Sequence, residues 1–180
     1  DILRLSYLCD FYGLPEVAEY WAGVVHINEW QTNRFFQNIL HELFNTLAGK
    51  TITMLGFAFK QDTGDTRDSP AIPLCERLVG ENAKVRIHDP KALENARIEL
   101  KNLKGDLSFV EDVYEAVDGA HALALVTQWD EYLDLDYEKI HQAMAEPAFI
   151  FDGRNHLDHE KLYKIGFNVF PLGKSPLKHI

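Results

Sequence analysis

From Thr51 onward, short apolar blocks alternate with helical patterns, and few folds can satisfy such a sequence. Thr51–Phe59 (Thr-Ile-Thr-Met-Leu-Gly-Phe-Ala-Phe) is a β-branched, apolar run. Lys84–His88, Ser108–Val110, His121–Thr127, Ala148–Phe151 and Phe167–Phe170 are further short blocks. The apolar runs lack the in–out alternation of a strand with one wet face, so they read as strands buried on both faces. Between them Pro70 opens a helix carrying Ile72, Leu74, Cys75, Leu78 and Val79, and helical patterns follow over 91–103, Val113–Val117, Tyr137–Met144 and Lys161–Ile165. Strands alternating with helices imply a parallel sheet with helices on both faces, a Rossmann-like α/β fold.

The first fifty residues follow a different period. Ile2, Leu5, Leu8, Cys9 and Tyr12 recur at helical spacing. Gly13 suits a helix end, because glycine takes the left-handed conformation without penalty, and Pro15 suits the first turn of a new helix, where its missing N–H costs nothing. The pattern continues through Trp21, Val24 and Val25 and is clearest at Phe36, Ile39, Leu40, Leu43, Phe44 and Leu47. One helix from about Glu16 to Ala48 would be roughly 50 Å long, enough to bridge domains or pair with a second chain. A break near Asn28, where the apolar stripe is weakest, would instead give two shorter helices. The expected division is a helical region over 1–48 and an α/β domain over 49–180. The chain opens on Asp1, without Met and already inside the amphipathic pattern, as a stretch from the middle of a longer protein would.

Charge restricts the partners. Asp and Glu exceed Lys and Arg by 28 to 18, a formal net charge of −10, so the body as a whole repels nucleic acid and anionic membrane surfaces. No apolar run approaches the roughly 18–20 residues of a membrane span. Any phosphate must therefore be held by a local basic site. Cys9 and Cys75 form neither a C-x-x-C pair nor a disulfide framework and read as reduced core residues.

In an open α/β sheet, ligands bind beyond the carboxyl ends of the strands. The loop after Phe59, the turn at Asp89 and the loop after Phe151 are the segments of interest. The G-x-G-x-x-G fingerprint of dinucleotide binding is absent: after Gly56 come Phe57, Ala58, Phe59 and Lys60, with rings where a pyrophosphate needs bare backbone. The loop 60–69 still suits an anion. It offers Lys60 at the strand end, Arg67 before a helix, Gly64 for a tight turn, and Ser69 or Asp68 as a cap ahead of Pro70. Asp62, Asp65 and Asp68 would repel a phosphate unless they cap or pair with Lys60 and Arg67, and a capped surface loop with ion pairs is the alternative reading. Arg154, after Phe151-Asp-Gly, puts a second cation on the same edge, where a guanidinium can grip phosphate with two parallel hydrogen bonds. His156 and His159 lie near Asp152 and Asp158 without further ligands, so no metal site is expected. Asp89 suits either a ribose-binding acid or a turn cap. Trp21, Trp30 and Trp129 read as core or interface residues.

Together these segments are familiar. Gly56–Pro70, His88-Asp-Pro90, Asp118-Gly-Ala-His-Ala122, Phe149–Arg154, and Leu14-Pro-Glu-Val17 ahead of the long helix closely resemble the C-terminal part of the UDP-glucose 6-dehydrogenases. The resemblance, to the eukaryotic-type form of the UDP-glucose/GDP-mannose dehydrogenase family, covers essentially the whole chain. It implies an N-terminal NAD-binding domain outside this stretch, a long central dimerisation helix, and a C-terminal domain that binds the UDP of the substrate. It further implies oxidation of UDP-glucose to UDP-glucuronate with two NAD through a cysteine thioester, the nucleophile lying before Asp1. By the same resemblance Asp1 matches an active-site aspartate that helps activate water. Phe59, Lys60 and Arg154 match substrate-binding positions, and Arg67 matches one that reaches NAD on the other domain. Cys9 and Cys75 do not match the nucleophile. The expected partners are UDP-glucose or UDP and a second copy of the chain, in a homodimer or higher oligomer, with a cytoplasmic location and no activity from these 180 residues alone. Two alternatives stand beside this: a UDP-sugar-binding and dimerisation module without catalysis, and a relative acting on another nucleotide sugar.

Overall fold

The computed structural model describes residues 2–180; Asp1, the expected catalytic aspartate, lies outside them. The chain divides into two compact units, Asp1–Asn38 and Ile39–Ile180. The first contains helix α1 (Ile2–Phe11) and most of helix α2 (Pro15–Glu42), whose last turn belongs to the second unit. Between the helices Gly13 adopts φ 76, and the amides of Gly13 and Leu14 bond the carbonyls of Asp10 and Cys9, closing α1 as its glycine suggests. The Ser6 hydroxyl donates to the Ala18 carbonyl at 2.8 Å and ties α1 to α2.

Helix α2 runs through Asn28 without a break. It stops at Glu42, short of Ala48, because Phe44 and Asn45 turn the chain out at φ 65 and 55. Leu43 and Leu47 stay buried on either side of that turn, so the apolar spacing outlasts the helix. Lys50 then donates to the carbonyls of Leu43, just past the helix end, and Thr46 at 3.0 and 2.7 Å, so one cation holds both sides of the turn. Ile39 and Leu43 pack inside the chain, whereas Tyr7, Phe11, Tyr12, Tyr20, Ile27 and Trp30 of the first unit are exposed.

The second unit is a six-stranded, all-parallel sheet in the order β3-β2-β1-β4-β5-β6. Its strands are β1 (Thr51–Leu55), β2 (Lys84–His88), β3 (Leu107–Phe109), β4 (Ala122–Leu125), β5 (Phe149–Asp152) and β6 (Asn168–Pro171). Helices α3 (Ala71–Gly80), α4 (Leu93–Glu99), α5 (Val113–Val117), α6 (Tyr137–Ala143) and α7 (His159–Ile165) supply the crossovers. Every residue of β1, β4, β5 and β6 is buried, as unbroken apolar blocks require. The order is that of a doubly wound fold, with the direction of winding reversing between β1 and β4. The edge at β6 is covered by an antiparallel bridge from Leu177 to Val169 and by the Lys178–Glu42 ion pair at 2.8 Å.

At the reversal, Gly56 follows β1 with φ +88, and a Cβ there would run into the Thr127 side chain and lie 2.7 Å from the Thr127 amide nitrogen. Both backbone conformation and space demand glycine. Gly56→Ala should therefore cost about 2–4 kcal/mol, from left-handed strain plus overpacking. Urea unfolding measures it, and an unchanged midpoint would contradict this account of the crevice.

Candidate functional site

The carboxyl edge of the sheet is assembled from the segments that follow β1, β2, β4 and β5. Its first support is Asp89, just past β2 and 2% exposed. Asp89 Oδ2 accepts from the amides of Phe57 and Ala58 at 2.7 and 2.9 Å and from Trp129 Nε1 at 3.1 Å. Oδ1 accepts from the amides of Lys91 and Ala92 at 2.9 and 2.7 Å. Of the two roles open for Asp89, the cap is what the structure displays: the carboxylate closes its own turn and reaches across to the loop after β1. Trp129 is a core residue, 3% exposed, whose polar tip serves this carboxylate.

The opposite faces of the same peptides are held as well. Ser69 Oγ donates to the Phe57 carbonyl at 2.8 Å and accepts from the Ala71 amide, doing the capping expected of it. Thr127 Oγ1 donates to the Ala58 carbonyl at 2.6 Å. Phe59, 48% exposed, and Lys60, also exposed, project from the end of this fixed segment.

In the loop that follows, Arg67 engages Asp65 through Nε and Nη2, and this hydrogen-bonded pairing holds the Asp65 carboxyl down at about 2. Asp62 pairs with Lys91 at 3.6 Å, not with Lys60 or Arg67. Lys60 has no ion-pair partner among the described residues. Gly64 serves by proximity and not by a left-handed turn: a side chain there would meet the Lys91 carbonyl at 2.9 Å.

A second buried carboxylate organises the loop after β5. Asp152 is fully buried; Oδ1 accepts from the Arg154 amide at 2.9 Å, and Oδ2 accepts from the amides of His156 and Leu157 and pairs with His159 Nε2 at 2.8 Å. His159 is thereby a structural partner of Asp152, and among the described residues no cluster of three metal-ligating side chains occurs. Arg154 Nε donates to the Val126 carbonyl just beyond β4, which leaves both Nη groups without a partner among the described residues. Arg154 remains exposed as a whole, and partial desolvation of its head lowers its pKa.

Residues 126–127 after β4 thus anchor both arms of the site. Val126 holds Arg154, and Thr127 holds the segment carrying Phe59 and Lys60. Only β4 separates β1 from β5, about 10 Å at the usual strand spacing. The result is two available cations and an exposed aromatic ring on one edge, the chemistry that suits a phosphorylated aromatic ligand. Sequence reasoning named the cations but missed Val126 and Thr127, which act through contacts far along the chain. An open concavity of about 660 Å³ lies elsewhere, between α6 and α7, but its mixed lining of Glu138, His141, Asp158, Glu160, Lys161 and Lys164 presents no convergent donor set. Cys75 is buried with its thiol pushed up to about 12, which leaves it inert as a nucleophile.

Beneath the site, His88 Nδ1 lies 3.0 Å from the Tyr132 hydroxyl, and burial lowers the His88 pKa from 6.5. The unfolded chain protonates near 6.5, and the folded chain resists until lower pH. The His88 contribution is therefore fully present above that value and is lost as pH falls from it toward the depressed folded pKa. Urea midpoints near pH 7.5 and pH 5.5 should fall more for the unaltered chain than for His88→Gln; equal falls would contradict this.

Comparison with known proteins gives a consistent result. Residues 53–159, which contain Phe59, Lys60, Arg67 and Arg154, match the family model described as UDP-glucose/GDP-mannose dehydrogenase family, UDP binding domain. The chain is 47% identical, over 197 aligned positions and 99% of its length, to UDP-glucose 6-dehydrogenase 2 of Oryza sativa subsp. japonica, and 45% identical to UDP-glucose 6-dehydrogenase 1 of Arabidopsis thaliana over 97% of its length. It spans 41% and 40% of those two proteins. Among solved structures, a UDP-glucose dehydrogenase from the hyperthermophilic archaeon Pyrobaculum islandicum superposes with a TM-score of 0.74 at 26% identity, over 94% of this chain and 35% of that one.

Proposed function

Because the chain belongs to the UDP-glucose/GDP-mannose dehydrogenase family, we propose that its sheet edge binds the UDP part of a nucleotide sugar, within a whole protein that is a UDP-glucose 6-dehydrogenase. The observation that carries the reading is the pair of available cations, Lys60 and Arg154, with exposed Phe59 beside them. In a chain of net charge −10, diffuse attraction cannot collect a diphosphate, so local donors must do so. The nearby Asp62 and Asp65 are engaged by Lys91 and Arg67, which moderates their repulsion of an anion.

The whole protein is read as oxidising the C6 alcohol of UDP-glucose to the carboxylate of UDP-glucuronate, with NAD as the oxidant. NAD does not fit the crevice of this sheet. The Phe57 and Ala58 amides that would meet its pyrophosphate are already bonded to Asp89, and Thr127 crowds Gly56. The cofactor is accordingly assigned to another part of the protein, with exposed Arg67 at its margin and Asp1 in the active-site role that the family resemblance implies. The described residues of this chain hold and orient the nucleotide, and the role of Asp1 is the one part in the chemistry that falls to the chain.

Calorimetry with UDP tests the site. Lys60→Ala and Arg154→Ala should each weaken binding by about ten- to a hundredfold, the roughly 1.5–3 kcal/mol of a charge-assisted contact. Arg154→Lys should not restore it, since an ammonium lacks the planar fork, and Arg67→Ala should leave UDP affinity within about twofold. If both alanine variants bind UDP as the unaltered chain does, the site lies elsewhere.

The same reading includes a homodimer formed through the helical region. Its support is the exposed apolar surface of α1 and the front half of α2, where Tyr7, Phe11, Tyr20, Ile27 and Trp30 lie at solvent. Phe36, Ile39 and Leu43 are each buried in the single chain, so the reading puts the pairing face on the exposed residues. A stable dimer would bury well above about 1,200 Å² in total. Sedimentation at micromolar concentration should give twice the chain mass, and a monomer there would count against it.

A further inference from the structure

The two amides that follow β1 occupy the position where, in doubly wound folds, backbone N–H groups meet a ligand's phosphate. Here they meet a side chain of the protein itself. We propose that Asp89 is a positioning residue for the nucleotide site, an internal anion that fixes the segment from which Phe59 and Lys60 project. The proposal rests on the UDP-binding reading and deepens it.

Several observations converge on this role. Asp89 is 2% exposed, so solvent does not compete for it. Its Oδ2 binds the amides of Phe57 and Ala58, the two residues immediately before Phe59. Ser69 and Thr127 hold the carbonyls of those same two residues. The Phe59 amide then donates to the Asp65 carbonyl at 2.8 Å. Every backbone polar group from Phe57 through the Phe59 amide therefore has a fixed partner, and Phe59 and Lys60 are the first side chains beyond this anchored segment to stand free. Trp129 Nε1, on the same oxygen, ties the support to the loop after β4, where Val126 holds Arg154. Asp89 so links the two arms that would grip one ligand. Its negative charge is spent on five N–H donors within hydrogen-bonding distance, which leaves it screened from an incoming phosphate. Small misplacements of a binding group lose affinity steeply, so a lysine on an unbraced loop would bind much more weakly.

A double-mutant cycle on UDP affinity tests the assignment, with urea midpoints recorded so that only folded protein is compared. Asp89→Asn keeps one accepting oxygen and loses the other, which should loosen the loop and weaken UDP by about tenfold. In the Lys60→Ala background the same substitution should change affinity by less than about threefold, because the cation it positions is gone. Thr127→Val releases the same segment from its other side without touching Asp89, should follow the same pattern, and decides alone if Asp89→Asn does not fold. Equal losses in both backgrounds would mean that Asp89 does not act by positioning Lys60 and would overturn the proposal. So would unchanged UDP affinity in Asp89→Asn and Thr127→Val while Lys60→Ala still weakens binding. If Lys60→Ala itself has no effect, the UDP-binding reading fails first, and the positioning role falls with it.

Discussion

A carboxylate taken out of water costs several kcal/mol unless hydrogen bonds replace its hydration. Asp89 is buried under the carboxyl edge of the sheet with five N–H groups around it, drawn from the β1 loop, the turn ahead of α4 and the indole of Trp129. That requirement fixes the geometry above it. The β1 loop cannot move without stripping the charge of its partners, so the loop closes against Thr127 and the crevice at the winding reversal is filled by protein. Asp152 applies the same device at β5, where its four partners, Arg154 and His156 amides among them, shape the turn that carries Arg154.

The site is thus an arrangement in which Asp89, Asp152, Asp65 and Asp62 are engaged, Asp68 stands exposed without a partner among the described residues, and two basic groups are left over. Asp89 and Asp152 are satisfied internally, and Asp65 is gripped by Arg67 with its carboxyl far below the ordinary range. Asp62 answers to Lys91. Lys60 keeps its charge unpaired among the described residues, and Arg154 spends only Nε on the Val126 carbonyl. A strongly acidic chain can in this way present a positive edge to one anion while its overall field still repels polyanions.

How much of this could be read from the sequence depends on whether each signal is local. The strands were legible because a sheet covered on both faces needs unbroken apolar runs, and His121–Thr127 and Thr51–Phe59 supply them. The end of α2 was not, because Leu43 and Leu47 keep their four-residue spacing and stay buried across the left-handed turn at Phe44 and Asn45. Lys60, Arg67 and Arg154 stood out as cations at strand and helix ends. The partner of Asp62 was missed because Lys91 lies beyond the next strand in the chain. The supports at Val126 and Thr127 leave no local trace: one acts through a backbone carbonyl, and the other through a hydroxyl bonded to a residue 69 positions away. Asp89 fell between these cases, its turn legible from Asp-Pro and its reach to the β1 loop invisible without the fold.

The central claim is that one anion is held between the ends of β1 and β5. A crystal structure of this chain soaked with UDP tests it most directly. The account predicts the diphosphate within hydrogen-bonding distance of Lys60 Nζ and the Arg154 Nη groups, with the Phe57 and Ala58 amides still bonded to Asp89. A diphosphate bonded to those two amides in place of Asp89, or seated in the concavity between α6 and α7, would contradict it.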